Sequence, residues 1–258
     1  MYNRYIEYLR NTELNTNLNF KSNPYNGILE HVTPQLGQQY LTLIQKEFSH
    51  ILFSKVVDFC KINDTYGVPH LFKYSDELCC SPTSLRYVYH SLIILDHYSK
   101  KQTRNIVEVG CGYGGLCLAI NYFMNDFNVK IENYHIVDFE EVGKLIKFYL
   151  GLHKEHVVSK IHYHSNQTFG ENVDSDNLFF ISNYCYTEID KEYNKKYTEK
   201  LLPKTQSGFI LWQNGGNNFA YPVNYSSEIT GKNIEKICEE RPQTDAGYDV
   251  YVNFFVYF

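Results

Sequence analysis

The chain has 258 residues, of which 43% are hydrophobic and 21% charged, and its formal net charge is −5. Its length fits one α/β domain with an extension, or two small domains. The negative charge argues against nucleic acid or an anionic membrane as a partner. Seven cysteines without a C-x-x-C pair indicate reduced thiols rather than a disulfide framework or a metal site. Since the chain also shows no signal-like segment and no apolar run of membrane-spanning length, we expect a cytoplasmic protein.

The first hundred residues are predicted to be mainly helical. Thr33 and Pro34 resemble a helix start, and apolar residues then recur at helical spacing as far as Phe59. A second helix is predicted to begin near Ser81. We therefore expect residues 1–100 to form a helical region that precedes the remainder of the chain, residues 101–258.

From residue 105 onward, strand patterns and helix patterns alternate. Predicted strands cover 105–109, 134–138, 160–164, 178–182, 207–213 and 248–257, and predicted helices lie near 115–124, 140–150, 189–201 and 227–239. This alternation predicts an α/β fold in which a parallel sheet carries helices on both faces. The apolar run at 250–258 is predicted to be either an antiparallel strand inserted into that sheet or an ordinary edge strand.

A glycine-rich turn joins the first of these strands to the helix that follows it. Gly110, Gly112 and Gly114 stand at alternate positions between an apolar strand and an apolar helix. Glycine suits such a turn because the backbone adopts positive φ angles and approaches a ligand closely. The free N–H groups at the helix start then face a polar ligand group. The pattern therefore predicts a nucleotide-type cofactor site.

Two classes of cofactor fit this turn. The spacing Gly110-x-Gly112-x-x-Gly115 satisfies the dinucleotide fingerprint. Glu108 favours the other class, because a buried carboxylate is repelled by a pyrophosphate but attracted by an ammonium and a sulfonium. The spacing Glu108-x-Gly110-x-Gly112-x-Gly114 resembles motif I of class I methyltransferases, which bind S-adenosylmethionine. The resemblance implies a Rossmann-like methyltransferase sheet and places Glu108 near the methionine end of the cofactor; a local cap or pair is the alternative for Glu108.

Asp138 ends the second predicted strand of the sheet. An acidic residue at this place in Rossmann-like folds accepts the ribose hydroxyls of the cofactor. The alternative is an N-cap of the helix predicted at 140–150. The predicted cofactor-binding residues are therefore Glu108, Gly110, Gly112, Tyr113, Gly114, Asp138, Phe139 and Asn183.

Further segments resemble the sugar O-methyltransferase family, which is associated with bacterial surface polysaccharide loci. They are residues 29–32, 66–69, 81–87, 108–115, 137–142 and 181–188, and together they span roughly residues 28–215 in one order. The resemblance implies S-adenosylmethionine-dependent methylation of a sugar hydroxyl on a nucleotide-sugar or glycan precursor. A methyltransferase of another small molecule is an alternative. An NAD(P)-dependent oxidoreductase is a further one, disfavoured by Glu108 and by the lack of a Tyr-x-x-x-Lys pair after the fourth strand.

Residues for the acceptor are expected at the carboxyl ends of the fourth and fifth strands. Tyr184 is predicted to orient the acceptor, and Glu188 is a candidate base. His31 is the second candidate base because its ordinary pKa is suitable and it lies in a segment of the family resemblance. Trp212, Asn214 and Asn217 are predicted to bind the sugar, although Trp212 is equally suited to core packing.

Arg86 lies one turn into the helix that starts at Ser81. With Ser81 and Thr83 it is predicted to bind an anion, either the cofactor carboxylate or the diphosphate of a nucleotide-sugar. A structural salt bridge is the alternative for Arg86. Residues 1–100 are expected to act as a lid that recognises the acceptor, and the sequence leaves a homodimer open.

Overall fold

The computed structural model describes residues 2–22, 31–214, 222–244 and 252–258. The chain divides into two compact units. The first comprises Met1–Asp96, Gly112–Val129 and Lys144–Val158, and the second comprises His97–Cys111, Lys130–Gly143 and Ser159–Phe258. Neither unit is one continuous stretch, and the glycine loop at 110–115 contributes residues to both.

The first unit is built mainly of helices. Its elements are α1 (Tyr2–Asn11), α2 (Pro34–Glu47), α3 (Phe53–Asp64), most of α4 (Pro82–Tyr98), α5 (Gly115–Phe123) and most of α6 (Glu140–Leu152), with a small antiparallel pair of β1 (Phe72–Lys73) and β2 (Cys79–Cys80). The helix start predicted at Thr33 is confirmed, because its side chain accepts a hydrogen bond from the Leu36 amide at 3.2 Å. In the described part of the chain, no helix combines the length and apolarity needed to cross a membrane.

The apolar pattern that runs to Phe59 is divided between two helices. At Phe48 the backbone leaves helical geometry, with φ −126° and ψ 45°, and its amide closes α2 by donating to the Ile44 carbonyl. A new helix begins after Leu52, whose φ of −61° and ψ of 132° are extended. The break is a change of backbone direction that leaves the helical spacing of apolar residues intact, which explains why the pattern did not reveal it.

The second unit contains a seven-stranded sheet within the described residues. Its strands are β3 (Asn105–Val109), β4 (Asn133–Asp138), β5 (Lys160–Ser165), β6 (Leu178–Asn183), β7 (Thr205–Trp212), β8 (Lys236–Glu239) and β9 (Phe254–Tyr257), in the order β5-β4-β3-β6-β7-β9-β8. The first five in that order are parallel, and β9 is antiparallel to both of its neighbours. The predicted α/β fold with a mostly parallel, Rossmann-like sheet is confirmed. The final apolar run is the inserted antiparallel strand rather than an edge.

The helix predicted at 227–239 is wrong in its second half. The observed helix, α9 (Ser226–Thr230), ends at Gly231, which adopts a left-handed φ of +65°. Glycine accepts this conformation at little cost and so terminates the helix. Residues 236–239 then pair with β9 as strand β8. The remaining strands and helices predicted after residue 105 are confirmed with small shifts of their ends, except that the last strand begins only at Phe254. Of its predicted earlier residues, 252–253 are not strand and 248–251 lie outside the described residues.

The carboxyl ends of the strands are held in place by a dense core in the second unit. Strands β3 and β6 are buried except for one end residue each, and Trp212 at the end of β7 is fully buried in the same cluster as their inward-facing apolar side chains. Two further short helices, α7 (Cys185–Glu188) and α8 (Lys191–Lys200), belong to this unit, and Tyr197 and Leu201 join the cluster. Since burial of one large apolar side chain contributes about 1.5–3 kcal/mol, this core fixes the strand ends firmly.

Candidate functional site

Glu108, near the end of β3, is almost fully buried, with 2% of its surface exposed. Its Oε2 accepts a hydrogen bond of 2.6 Å from the Tyr134 hydroxyl on the neighbouring strand β4. Burial raises the pKa of Glu108 to about 7, and the charge of Asp138 adds to this, while the Tyr134 hydrogen bond lowers it. Because Tyr134 is neutral, this hydrogen bond stabilises the ionised form of Glu108 without offsetting its charge.

The glycine loop leaves β3 in a tight turn. Gly110, Gly112 and Gly114 have φ angles of +77°, +57° and +94°, which favour glycine strongly. Gly110 is needed for a second reason, because a Cβ at that position would lie 2.3 Å from the Cβ of Cys185. The turn that follows β6 is therefore packed directly against the start of the loop.

Asp138 connects the end of β4 to the loop. Its Oδ2 accepts from the Cys111 amide and its Oδ1 from the Phe139 amide, both at 2.7 Å. Burial raises the pKa of Asp138 to about 6, and these two hydrogen bonds lower it. Gly143 donates to the Phe139 carbonyl at 2.8 Å, so Phe139 occupies the capping position of α6 and Asp138 precedes it. Each carboxylate oxygen retains capacity for one more donor, as two ribose hydroxyls would require.

Glu108 and Asp138 together make this edge of the sheet negative. No cationic side chain of the described residues contributes to either pKa shift. Ionising a buried carboxylate beside a half-buried one is costly, and a positively charged ligand would relieve that cost. The arrangement is therefore electrostatically suited to a cation and unsuited to a pyrophosphate.

The turn after β6 holds Tyr184 in a strained backbone conformation. Its φ of +66° is rare for a residue with a side chain and costs roughly 1–3 kcal/mol. Local hydrogen bonds maintain it: the Tyr184 amide donates to the Leu211 carbonyl at 3.0 Å, and its own carbonyl accepts from the Thr187 hydroxyl at 2.9 Å. The phenol then donates to Glu240 Oε1 at 2.7 Å.

Glu240 is a buried acceptor that the sequence analysis missed. Only 1% of its surface is exposed. Besides the Tyr184 phenol, its carboxylate accepts hydrogen bonds from the Thr244 amide at 3.1 Å, the Thr244 hydroxyl at 2.9 Å and the Asn253 side-chain amide at 3.0 Å. Burial raises its pKa, and these hydrogen bonds oppose the shift. Strand β8 ends and β9 begins here, so the group lies at the same carboxyl edge as Tyr184. No periodic signal marks residue 240, because its partners Tyr184 and Asn253 are distant in sequence.

Two other predicted residues follow β6. Asn183 ends the strand and is half-buried, and Glu188 ends the one-turn helix α7, also half-buried. Burial raises the pKa of the Cys185 thiol, and the charges of Asp138 and Glu188 add to the effect. Their carboxylates are thus near enough to Cys185 to influence it electrostatically.

The predicted sugar-binding residues after β7 occupy different environments. Trp212 has no exposed surface and packs in the core, which is the structural role that the sequence left open. Asn214 is half-buried, and its Oδ1 accepts from the Val223 amide at 3.2 Å. Asn217 lies outside the described residues.

In the first unit, His31 and Arg86 are neighbours. His31 is exposed, Arg86 is 5% exposed, and their nearest nitrogens are 3.4 Å apart. Ser81 caps α4, because its hydroxyl accepts from the Ser84 amide at 3.2 Å. Thr83 is fully buried.

Tyr113, in the glycine loop, also has a fully buried side chain. Its ring is therefore directed inward, and its backbone is the part suited to face a cofactor.

Histidines on β4 and β5 form a cluster away from the loop. His162 and His164 share one face of β5, and His135 on β4 lies 3.0 Å from His164 between ring nitrogens. Burial lowers the pKa of all three; the charges of His162 and His164 add to the shift at His135, that of His162 adds to it at His164, and that of Lys160 adds to it at His162. Among the described residues, no group of three or more His, Cys, Asp or Glu side chains is arranged to hold a metal ion.

The sequence matches no protein-family model and no curated protein. Among solved structures, the chain is similar to the mitomycin 7-O-methyltransferase MmcR, with 10% identity and a TM-score of 0.47 over 68% of this chain and 54% of that one. It is similar to the methyltransferase domain of bacterial CtHen1, with 12% identity and a TM-score of 0.49 over 66% of this chain and 97% of that one. It is also similar to an O-methyltransferase family protein from Burkholderia thailandensis, with 9% identity and a TM-score of 0.44 over 86% of this chain and 71% of that one. The chain thus spans about half of MmcR, and likeness of this degree carries no function from one protein to another.

Proposed function

We propose that the chain is an S-adenosylmethionine-dependent O-methyltransferase that acts on a sugar hydroxyl of a nucleotide-sugar or glycan precursor. One observation carries the cofactor assignment: two carboxylates, the buried Glu108 and the half-buried Asp138, flank the start of the glycine loop with raised pKa values, and no cationic side chain among the described residues contributes to either shift. S-adenosylmethionine carries an ammonium, a sulfonium and two ribose hydroxyls, which complement this arrangement.

On the cofactor side, Glu108 would attract the cationic methionine end. Asp138 would use its remaining acceptor capacity for the ribose hydroxyls, while its bonds to the Cys111 and Phe139 amides keep the loop beside β4. Phe139 is 41% exposed and Asn183 is half-buried, so both are available to line the site. When bound, the cofactor supplies an activated methyl group; the chain must align the acceptor oxygen and remove its proton.

On the acceptor side, Tyr184 would receive a hydrogen bond from the hydroxyl that becomes methylated. Its proton is directed to Glu240, and the same oxygen lies 3.1 Å from the Thr244 hydroxyl. A phenol oxygen that donates its one proton can also accept hydrogen bonds. Glu188, one turn further, remains the candidate base in the same unit. His31 remains the alternative base, and Arg86 with Thr83 and Ser81 remains the candidate group for an anion.

The choice of a sugar rests on the family resemblance of residues 81–87 and 181–188 and on the type of groups at the strand ends. Phenol, amide and carboxylate groups bind neutral hydroxyls well, as Tyr184, Asn214 and Glu188 would. An NAD(P)-dependent oxidoreductase is disfavoured because Glu108 would face a pyrophosphate.

Calorimetric titration tests the cofactor. We expect S-adenosylhomocysteine and S-adenosylmethionine to bind and NADH to give no signal; binding of NADH alone would overturn the proposal. Transfer of a labelled methyl group to UDP-sugars, simple glycosides, a catechol and a short RNA then tests the acceptor. Methylation of the catechol or the RNA without any sugar would retain the methyltransferase and reject the sugar.

A further inference from the structure

Lys21 is completely buried in the first unit and is surrounded by aromatic rings. Its Nζ lies 4.5 Å from the centroid of Tyr113, 5.1 Å from Tyr149 and 5.7 Å from Phe20. The same Nζ donates to the backbone carbonyl of Asn63. We call these three rings with Lys21 the lysine cage. Cation–π attraction is strongest where the cation is removed from water, as it is here.

Asn63 ties the cage to the glycine loop. Its side-chain amide donates to the Tyr113 hydroxyl at 3.2 Å and to the Ser84 hydroxyl at 2.7 Å, and its Oδ1 accepts from the Tyr149 hydroxyl at 2.7 Å. Lys21 and Tyr113 are therefore joined twice, directly through the ring and indirectly through the same asparagine.

Tyr113 is the anchor of the glycine loop. It stands between Gly112 and Gly114, which have no side chains to hold them and adopt φ angles of +57° and +94°. Its ring also lies against the next residue, because a Cβ at Gly115 would come within 2.8 Å of it. Since glycine is the most freely moving residue in a chain, the path of this loop depends on where the Tyr113 ring is held.

We propose that Lys21 is a positioning residue for cofactor binding, which acts by holding Tyr113 and hence the glycine loop in its binding conformation. The inference rests on the proposed function, because it assumes that the loop binds S-adenosylmethionine. A buried cation is expensive, and an apolar side chain would fill the same volume at lower cost. The contact of its Nζ with the Tyr113 ring gives Lys21 a role in specifying one loop conformation. Without Lys21, the cofactor would have to order the loop as it binds, and the free-energy cost of that ordering would lower the affinity.

The test uses S-adenosylhomocysteine as the probe in calorimetry, with wild type, Lys21→Met and a matched control, Lys55→Met. Lys55 also lies over two rings, 5.4 Å from Tyr122 and 5.7 Å from Phe123, and pairs with Asp126, but it has no contact with Tyr113 among those described. We expect Lys21→Met to raise the dissociation constant about tenfold and Lys55→Met to change it by less than about twofold, although both lower the melting temperature.

Equal affinity of folded Lys21→Met and wild type would overturn the inference and leave the proposed function intact. Absence of binding to the wild type would reject the proposed function and the inference with it. If Lys21→Met does not fold, Tyr113→Leu decides, because it removes both the ring over which the Lys21 Nζ lies and the hydroxyl that Asn63 holds. Weaker binding in that variant supports the inference, and unchanged binding rejects it.

Discussion

At the scale of single residues, the proton on Glu108 has consequences for binding. With a pKa raised to about 7, the free side chain is largely protonated below neutral pH. A cationic ligand favours the ionised form, so the group must lose its proton when the ligand binds. Asp138, with a pKa of about 6, behaves in the same way at lower pH.

We therefore expect the affinity for S-adenosylmethionine to rise as the pH increases from about 5.5 to 7, a window in which the α-amino group of the cofactor keeps its charge. Glu108→Gln should bind more weakly and lose the part of this dependence that lies near pH 7. Calorimetry across the window measures both effects. An unchanged pH profile in Glu108→Gln would place the cation elsewhere.

Glu240 determines the direction in which the Tyr184 phenol donates its proton. Glu240→Gln keeps the shape of the side chain but introduces a donor in place of an acceptor, so the phenol proton need no longer point towards residue 240. With an accepted sugar, we expect Glu240→Gln and Tyr184→Phe to lower kcat by about tenfold to a hundredfold, with little change in affinity for S-adenosylhomocysteine.

Glu239→Gln is the matched control, since Glu239 is the neighbouring carboxylate and is exposed. It should leave kcat unchanged. Loss of cofactor affinity in parallel with kcat in Glu240→Gln would indicate collapse of the strand ends rather than a role towards the acceptor.

At the scale of elements, local patterns predicted the sheet well because its central strands are buried and carry short apolar runs, such as residues 106–107 in β3 and 178–181 in β6. The glycine loop, Glu108 and Asp138 were also predictable, because they lie in one short strand–turn–helix segment. Strand β8 was not, since three of its four residues are exposed and it is defined by pairing with β9, which lies further along the chain. Glu240 and Lys21 were missed for the same reason: their partners are brought to them only by the fold.

The start of α2 provides a test at this scale. Thr33→Ala removes the acceptor for the Leu36 amide and should lower the free energy of unfolding by about 1 kcal/mol. Thr42→Ala, in the exposed middle of the same helix, is the control and should have a much smaller effect or stabilise slightly. Urea unfolding measures the difference. Equal effects would show that the cap does not contribute.

At the scale of the whole molecule, buried acids and buried histidines act on stability in opposite directions. Burial lowers the pKa of His135 to about 3 and of His153 to about 4, from an ordinary value of 6.5. Between the lowered pKa of each histidine and 6.5, the unfolded chain binds more protons than the folded one, so this contribution makes stability rise with pH. Glu108 and Asp138 have raised pKa values, so the folded chain holds their protons to higher pH than the unfolded chain does. Their contribution to stability therefore falls as pH rises, from 4.5 to about 7 for Glu108 and from 3.8 to about 6 for Asp138.

The pKa values of His90 and His97 are also lowered. We therefore expect the histidines to determine how stability changes with pH below 6.5, and Glu108 to determine it above that value. The free energy of unfolding should therefore rise from about pH 5 to 6.5 and then decline slightly. In Glu108→Gln the decline should vanish, and in His135→Gln the rise should be shallower. Urea unfolding at a series of pH values measures these slopes, and a flat profile for wild type would contradict the shifts.

The position of β9 between β7 and β8 also constrains the order in which the sheet can assemble. Strand β8 precedes β9 along the chain, yet its described ladder partner is β9, which in turn pairs with β7. When the growing chain has been synthesised as far as residue 239, β8 therefore cannot yet pair with β9. Pairing across such separations is slow because the intervening chain must first be closed into a loop. Until β9 docks, the edge of β7 stays open to pairing with other chains, so this step sets the period in which the folding molecule is most prone to aggregate.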